Sequence, residues 1–200
     1  MVDAVGTDPR VVRTHTAVLS AARELLLTKG WDQVTVANVA DRSGYARSTL
    51  YRHWPNRLDL LRDAISEQAR LTHTVPSGIT RQDLIAELQA FVTAITTTGL
   101  GHMVAAMAHM ARDDREWADL NEAVHGEGTR VLRAILAAVR DDRTVASRLS
   151  VDDAVAMLVG PIVHRFLFSG GTPDTRFVVA LVDSLLVEPA SEARGRDPSP

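Results

Sequence analysis

The chain has 200 residues, of which 46% are hydrophobic and 24% charged, with no cysteine and a formal net charge of −3. That balance belongs to a folded domain, or to a small module joined to a larger one, and it excludes disulfide scaffolds, iron–sulfur clusters, thiolate zinc sites and cysteine nucleophiles. No apolar run approaches the roughly 18–20 residues that span a bilayer, and the first 30 residues hold no signal-peptide core, so a cytoplasmic protein without a membrane partner is expected.

Every segment reads as helix, and the expected class is all-α with about nine helices. Residues 1–9 are expected to be disordered up to Asp8-Pro9, a cap followed by a first-turn proline. From there Val11, Val18, Ala21, Ala22, Leu25 and Leu26 form an apolar stripe at helical spacing, and Gly30 ends the helix. Thr35 caps a short second helix with Val36, Val39 and Ala40 inward, and Gly44 closes it. A third short helix runs from about Ala46 to His53. Pro55 stops it, and Asn56, with Asp59 three positions on, caps a fourth that carries Leu58, Leu61 and Ile65 inward to about Leu71.

Val75-Pro76-Ser77-Gly78 is the expected domain boundary. Thr80 and Asp83 restart helix over roughly 81–98, and Gly99 breaks it. A Met-rich segment over about 101–112 and a long helix over about 115–142 follow. Ser150-x-x-Asp153 caps a helix over about 151–169, in which Pro161 removes a backbone donor and predicts a bend. Gly170-Gly171 ends it. Thr172-Pro173 opens a last helix over about 173–188, stopped by Glu188-Pro189, and residues 189–200 are expected to be a disordered tail.

The informative segment is 35–54, TVANVADRSGYARSTLYRHW. Two helices too short to be stable alone, joined at Gly44, make a helix-turn-helix whose second helix can enter the DNA major groove. At 100° per residue, Arg47, Ser48, Tyr51 and Arg52 share an arc of roughly 140°, with Leu50 on the far side and Thr49 and His53 on the flank. Arginine can pair bidentately with guanine or with phosphate, and hydroxyls can donate to phosphate oxygens.

Charge agrees with this reading. Residues 1–70 carry ten Lys/Arg and eight Asp/Glu, against twelve and seventeen in the remainder. Within 42–57, Arg42, Arg47, Arg52 and Arg57 stand without any acid, which points to a local anionic partner; a solvated helix face would look the same. Tyr51, His53 and Trp54 also suit packing residues of a small helical unit.

Residues 35–61, TVANVADRSGYARSTLYRHWPNRLDLL, resemble the DNA-binding signature of the tetracycline repressor (TetR) family of bacterial transcription regulators. The match rests on Thr35-Val36, Val39-Ala40, Gly44, Ser48-Thr49-Leu50-Tyr51, His53, the aromatic at 54, and the basic residue at 57 followed by Leu58 and Leu60-Leu61. Trp54 stands where the family usually has Phe, and Arg57 where Lys is common. The resemblance implies a helix-turn-helix DNA-binding domain over 10–72 and a ligand-binding and dimerisation domain over 80–188. It implies DNA contacts by Thr35, Ala46, Arg47, Ser48, Thr49, Tyr51, Arg52, His53 and Arg57. Arg47 and Arg52 are the expected base readers; Thr35, Thr49, Tyr51, His53 and Arg57 are expected at phosphates.

For the second domain the resemblance implies dimerisation through the last two helices, with Phe177, Val178, Leu181 and Leu185 as candidate interface residues. Met103, Met107 and Met110, with His102, Phe91, Trp117, His125 and Phe166, could line an effector pocket, although a Met stripe equally fills a core. The histidines lack a compact ligand spacing, so no metal and no cofactor are expected, and no nucleophile–base pair points to catalysis. The resulting expectation is a homodimeric, effector-released repressor on a pseudo-palindromic double-stranded operator. The alternative is a helical small-molecule-binding protein or enzyme that keeps the fold without DNA.

Overall fold

The computed structural model describes residues 9–97, 100–138 and 148–186. Among them run nine α-helices and no strand: α1 (Pro9–Lys29), α2 (Val36–Ser43), α3 (Arg47–His53), α4 (Arg57–Thr72), α5 (Thr80–Thr97), α6 (Leu100–Met110), α7 (Arg115–Ala138), α8 (Val151–Phe168) and α9 (Thr175–Leu186). A 3-10 turn, Trp31–Gln33, lies between α1 and α2. The expectations for residues 1–8, the Gly99 break, positions 139–142 and the tail after 186 fall outside the described residues. No single helix among the described residues is long and apolar enough to cross a membrane.

Local chemistry sets the ends of these helices. Thr35 Oγ1 accepts from the Asn38 N–H at 3.2 Å and starts α2, and Gly44, at φ 75°, turns the chain out of it. Asn56 Oδ1 accepts from the Asp59 N–H at 2.8 Å. Ser150 Oγ accepts from the Asp153 N–H at 3.0 Å and donates to its carboxylate at 2.7 Å. The last helix opens later than Thr172-Pro173 suggests, because the cap is Asp174, whose carboxylate accepts from the Phe177 N–H at 2.9 Å. α8 runs through Pro161 as one helix.

The chain forms two compact units. The first comprises Met1–His73 and Ala90–Arg130, the second Thr74–Gln89 and Val131–Pro200. One crossing, at His73–Thr74, lies beside the boundary suggested by Val75–Gly78; the others fall within α5 and α7, where composition shows no break.

One apolar core fills the first unit. Val18, Leu19, Ala21, Ala22, Leu25 and Leu26 of α1 join Val36, Val39 and Ala40 of α2, Leu50 and Trp54, and Leu60, Leu61, Ala64 and Ile65 of α4. The same cluster takes in Met103 and Met107 of α6 and Trp117, Leu120 and Val124 of α7. Val11, although in register with the α1 stripe, stays 39% exposed, and Leu58 is only half-buried.

In the second unit the segment before α5 is tied down by two carboxylates one helical turn apart. Asp83 Oδ1 accepts from the Ser77 N–H (2.8 Å) and hydroxyl (2.7 Å), and Oδ2 accepts from the Gly78 N–H (2.9 Å). Glu87 accepts from the Thr74 N–H (2.8 Å) and hydroxyl (2.7 Å). The bonds from Ser77, backbone first, hold the Asp83 carboxyl below its ordinary value. Its ionised form therefore contributes stability above the unfolded value of about 3.9, and that contribution is lost as pH falls through the lower folded value. Asp83→Asn is expected to melt below wild type at neutral pH. The gap should narrow as pH falls below the ordinary carboxylate value of about 3.9 in a series of thermal melts. A gap of constant size down to the acid end would mean that the carboxylate charge is not what holds the segment.

Candidate nucleic-acid interface

α3 has seven residues, too few to hold its own shape in water. Two buried side chains hold it. Leu50 is 0% and Trp54, the residue that follows the helix, 1% exposed. Trp54 Nε1 donates to Asp63 Oδ2 of α4 at 2.9 Å, and the His15 ring of α1 lies 4.9 Å from the indole. The end of α3 is thus pinned against α1 and α4 together, and His53 adds a ring 5.6 Å from Trp54.

With Leu50 inside, the opposite arc faces outward. Ala46, Arg47, Ser48, Tyr51 and Arg52 are exposed, and Thr49 and His53 are half-buried on the flank. Tyr51 is 55% exposed, so its ring is not a packing residue; of the three aromatic-type side chains read as packing candidates, Trp54 is the one in the core. Arg47 lies 4.0 Å from Asp41, with both side chains well exposed, and such a pair is worth little in water. Thr35, half-buried at the start of α2, uses an oxygen lone pair for its cap and keeps its hydroxyl proton to donate.

The four arginines of segment 42–57 do not act alike. Arg42 pairs through Nε and Nη2 with both carboxylate oxygens of Glu24 on α1, the Nε bond being 2.9 Å. Arg57 turns toward the 3-10 turn, donating from Nε to the Val34 carbonyl (3.0 Å) and from Nη2 to the Trp31 carbonyl (2.8 Å). The outward cationic chemistry of the segment therefore resides in Arg47 and Arg52. The internal bonds of Arg42 and Arg57, and the partnership of Trp54 with Asp63, have no local signature in the sequence.

The residues expected around an effector do not gather in one place. Met103, Met107 and Trp117 are buried in the core of the first unit, whereas Met110, His102 and His125 are exposed. His102 and Met103 also border a cleft of about 360 Å³ lined by Leu26, Trp31, Asp32 and Leu100. Phe91 belongs to the first unit and Phe166 to the second; both are half-buried. Among the described residues no group of three or more His, Asp or Glu could hold a metal ion.

The candidate interface residues on α9 differ in exposure within the protomer. Val178 and Leu185 are each 1% exposed and, with Val182, form the stripe that α9 turns inward; Phe177 and Leu181 sit half-buried at its edge. Phe177 lies under the Arg165 guanidinium at 4.6 Å. An apolar surface left open lies on α8, where Met157, Gly160, His164, Leu167 and Phe168 follow one another at helical spacing, with Phe168 76% exposed.

Comparison with known proteins bears on both parts of the chain. Residues 18–64 match the family model for bacterial regulatory proteins of the tetR family, and residues 75–185 match that for the tetracyclin repressor-like C-terminal domain. YdeS, a helix-turn-helix transcriptional regulator of Bacillus subtilis, is 28% identical over 179 residues, which is 87% of this chain and 88% of that protein. The DNA-binding transcriptional repressor TetR of Mycobacteroides abscessus is 30% identical over 86% of this chain and 90% of its own. The crystal structure of the TetR family transcription regulator SCO0332 is 30% identical and superimposes with a TM-score of 0.73 over 86% of this chain and 96% of that one. FadR of Bacillus subtilis, solved in complex with stearoyl-CoA, shares the fold at 15% identity and a TM-score of 0.56 over 86% of this chain and 97% of its own.

Proposed function

Because this chain belongs to the TetR family of bacterial regulatory proteins, and so is a DNA-binding transcriptional regulator, we propose that it represses by occupying a pseudo-palindromic operator as a homodimer and leaves it when a small molecule binds. The observation that carries the reading is α3. One side of a seven-residue helix is locked inside by Leu50 and Trp54, while Arg47, Ser48, Tyr51 and Arg52 stand exposed together on the other. Arg47 and Arg52 read base edges in the major groove, and Ser48, Thr49, Tyr51, His53, Thr35 and the Ala46 backbone position the helix on phosphates.

DNA reading is assigned to residues 10–72, and effector binding and dimerisation to 80–188. The open stripe on α8 suits a second copy, since a two-fold operator needs two reading heads. An effector acts by binding the DNA-incompetent conformation more tightly than the competent one. The setting is the cytoplasm, no catalytic step is involved, and neither metal nor cofactor is required.

Selection from a random duplex pool at low salt tests this. The enriched sequences are expected to contain two inverted half-sites with centres about 34–36 Å apart, or a multiple of that, and to bind two protomers. A metabolite panel is then screened for release. Failure to enrich any duplex would favour the alternative of a helical binding protein that has kept the fold and lost DNA.

A further inference from the structure

We infer that Arg57 is a positioning residue that locks the 3-10 turn and the start of α2 for DNA reading, and that it does so through internal carbonyls and an indole face instead of through a phosphate. The inference rests on the DNA-binding reading for its affinity consequence, while the lock itself can be measured without DNA.

The geometry is specific. The guanidinium of Arg57, the first residue of α4, donates from Nε to the Val34 carbonyl at 3.0 Å and from Nη2 to the Trp31 carbonyl at 2.8 Å. Its Cζ lies 5.3 Å from the centre of the Trp31 ring, and Asp32 Oδ1 is 4.0 Å from Nη2. Trp31 is backed edge-on by Trp117 of α7, with ring centres 5.4 Å apart and planes at 87°. Val34 is itself fully buried, and the next residue is Thr35, the cap of α2.

Fixing the Val34 carbonyl fixes where α2 begins, and α2 leads through Gly44 into α3. A planar, forked donor can serve two carbonyls while lying over an indole; an ammonium on a flexible stem is a point charge and cannot hold that arrangement. A phosphate contact would make the opposite demand, since a lysine satisfies it almost as well.

Two variants and two readouts decide the matter. Arg57→Lys keeps the charge and most of the apolar stem and is expected to fold; if Arg57→Ala does not, the lysine variant suffices. In the free protein, amide exchange across residues 31–38 is expected to accelerate several-fold in both variants and to stay at the wild-type rate in Arg47→Ala. On the duplex recovered by selection, both Arg57 variants are expected to bind about 10-fold more weakly with the dependence of log K on log salt unchanged, whereas loss of a phosphate contact would lower that slope by about 0.9. Wild-type exchange in both variants overturns the inference whether or not a duplex is found. So does wild-type affinity in Arg57→Lys, or a slope reduced by about one in Arg57→Ala. If no duplex is enriched, the DNA-binding reading fails and the exchange measurement alone decides the lock.

Discussion

Replacing Arg47 and Arg52 together with alanine is expected to weaken binding to the selected duplex by at least about 30-fold, and by up to about 20,000-fold, at about 1–3 kcal/mol for each lost base contact. The melting temperature should hardly move. Both side chains are exposed on α3, and Asp41, 4.0 Å from Arg47, is an exposed carboxylate that water can serve as well. Exposed substitutions of this kind stay within about 0.5 kcal/mol of wild-type stability. The two positions lie on one arc without touching one another's partners, so the single variants are expected to share the loss roughly additively. Fluorescence anisotropy across several salt concentrations measures it. A folded double variant that bound the duplex as tightly as wild type would remove α3 from the mechanism.

The second large effect concerns the residue that holds α3 in place. Trp54→Ala is expected to cost about 3–5 kcal/mol of unfolding free energy, the usual result of emptying a buried aromatic site. Against a typical total of about 5–15 kcal/mol, that leaves a marginal protein. The loss has three parts: the indole inside the core, the His15 ring 4.9 Å away, and the 2.9 Å bond to Asp63. Trp54→Phe separates them in part, because it keeps an aromatic ring while removing the donor together with the remainder of the indole bicycle. Asp63 is partly exposed and retains the Arg62 Nε at 3.1 Å, so the phenylalanine variant should lose only about 1–2 kcal/mol. Urea titration at constant pH compares the three proteins. Equal losses in the two variants would place the anchor in the hydrogen bond and not in the ring.

Both expectations depend on features with different visibility in the chain. The ends of the short helices were readable, because each involves groups two or three residues apart. Thr35 meets the Asn38 amide, Asn56 the Asp59 amide and Ser150 the Asp153 amide, and Gly44 supplies the positive φ that ends α2. The exposed arc of α3 was readable too, since the helical repeat alone places Leu50 opposite Arg47, Ser48, Tyr51 and Arg52. The apolar stripe of α9 was readable as a period, but not which of its residues the protomer itself covers: Val178 and Leu185 are buried, Phe177 and Leu181 half-buried, and Met157, Leu167 and Phe168 of α8 exposed.

Partners distant along the chain were chosen by the folded molecule. Nothing near Arg57 announces that its donors serve carbonyls 23 and 26 positions earlier, or that Arg42 is taken up by a glutamate 18 positions earlier. The same holds for Met103 and Met107, whose spacing suited a pocket or a core equally and which pack in one core with α1 and α4. Capping and helical facing are settled by covalent neighbours, over distances that chain geometry already dictates. Which apolar faces meet, and which cations spend their hydrogen bonds internally, depends on excluding water between segments that only packing brings together.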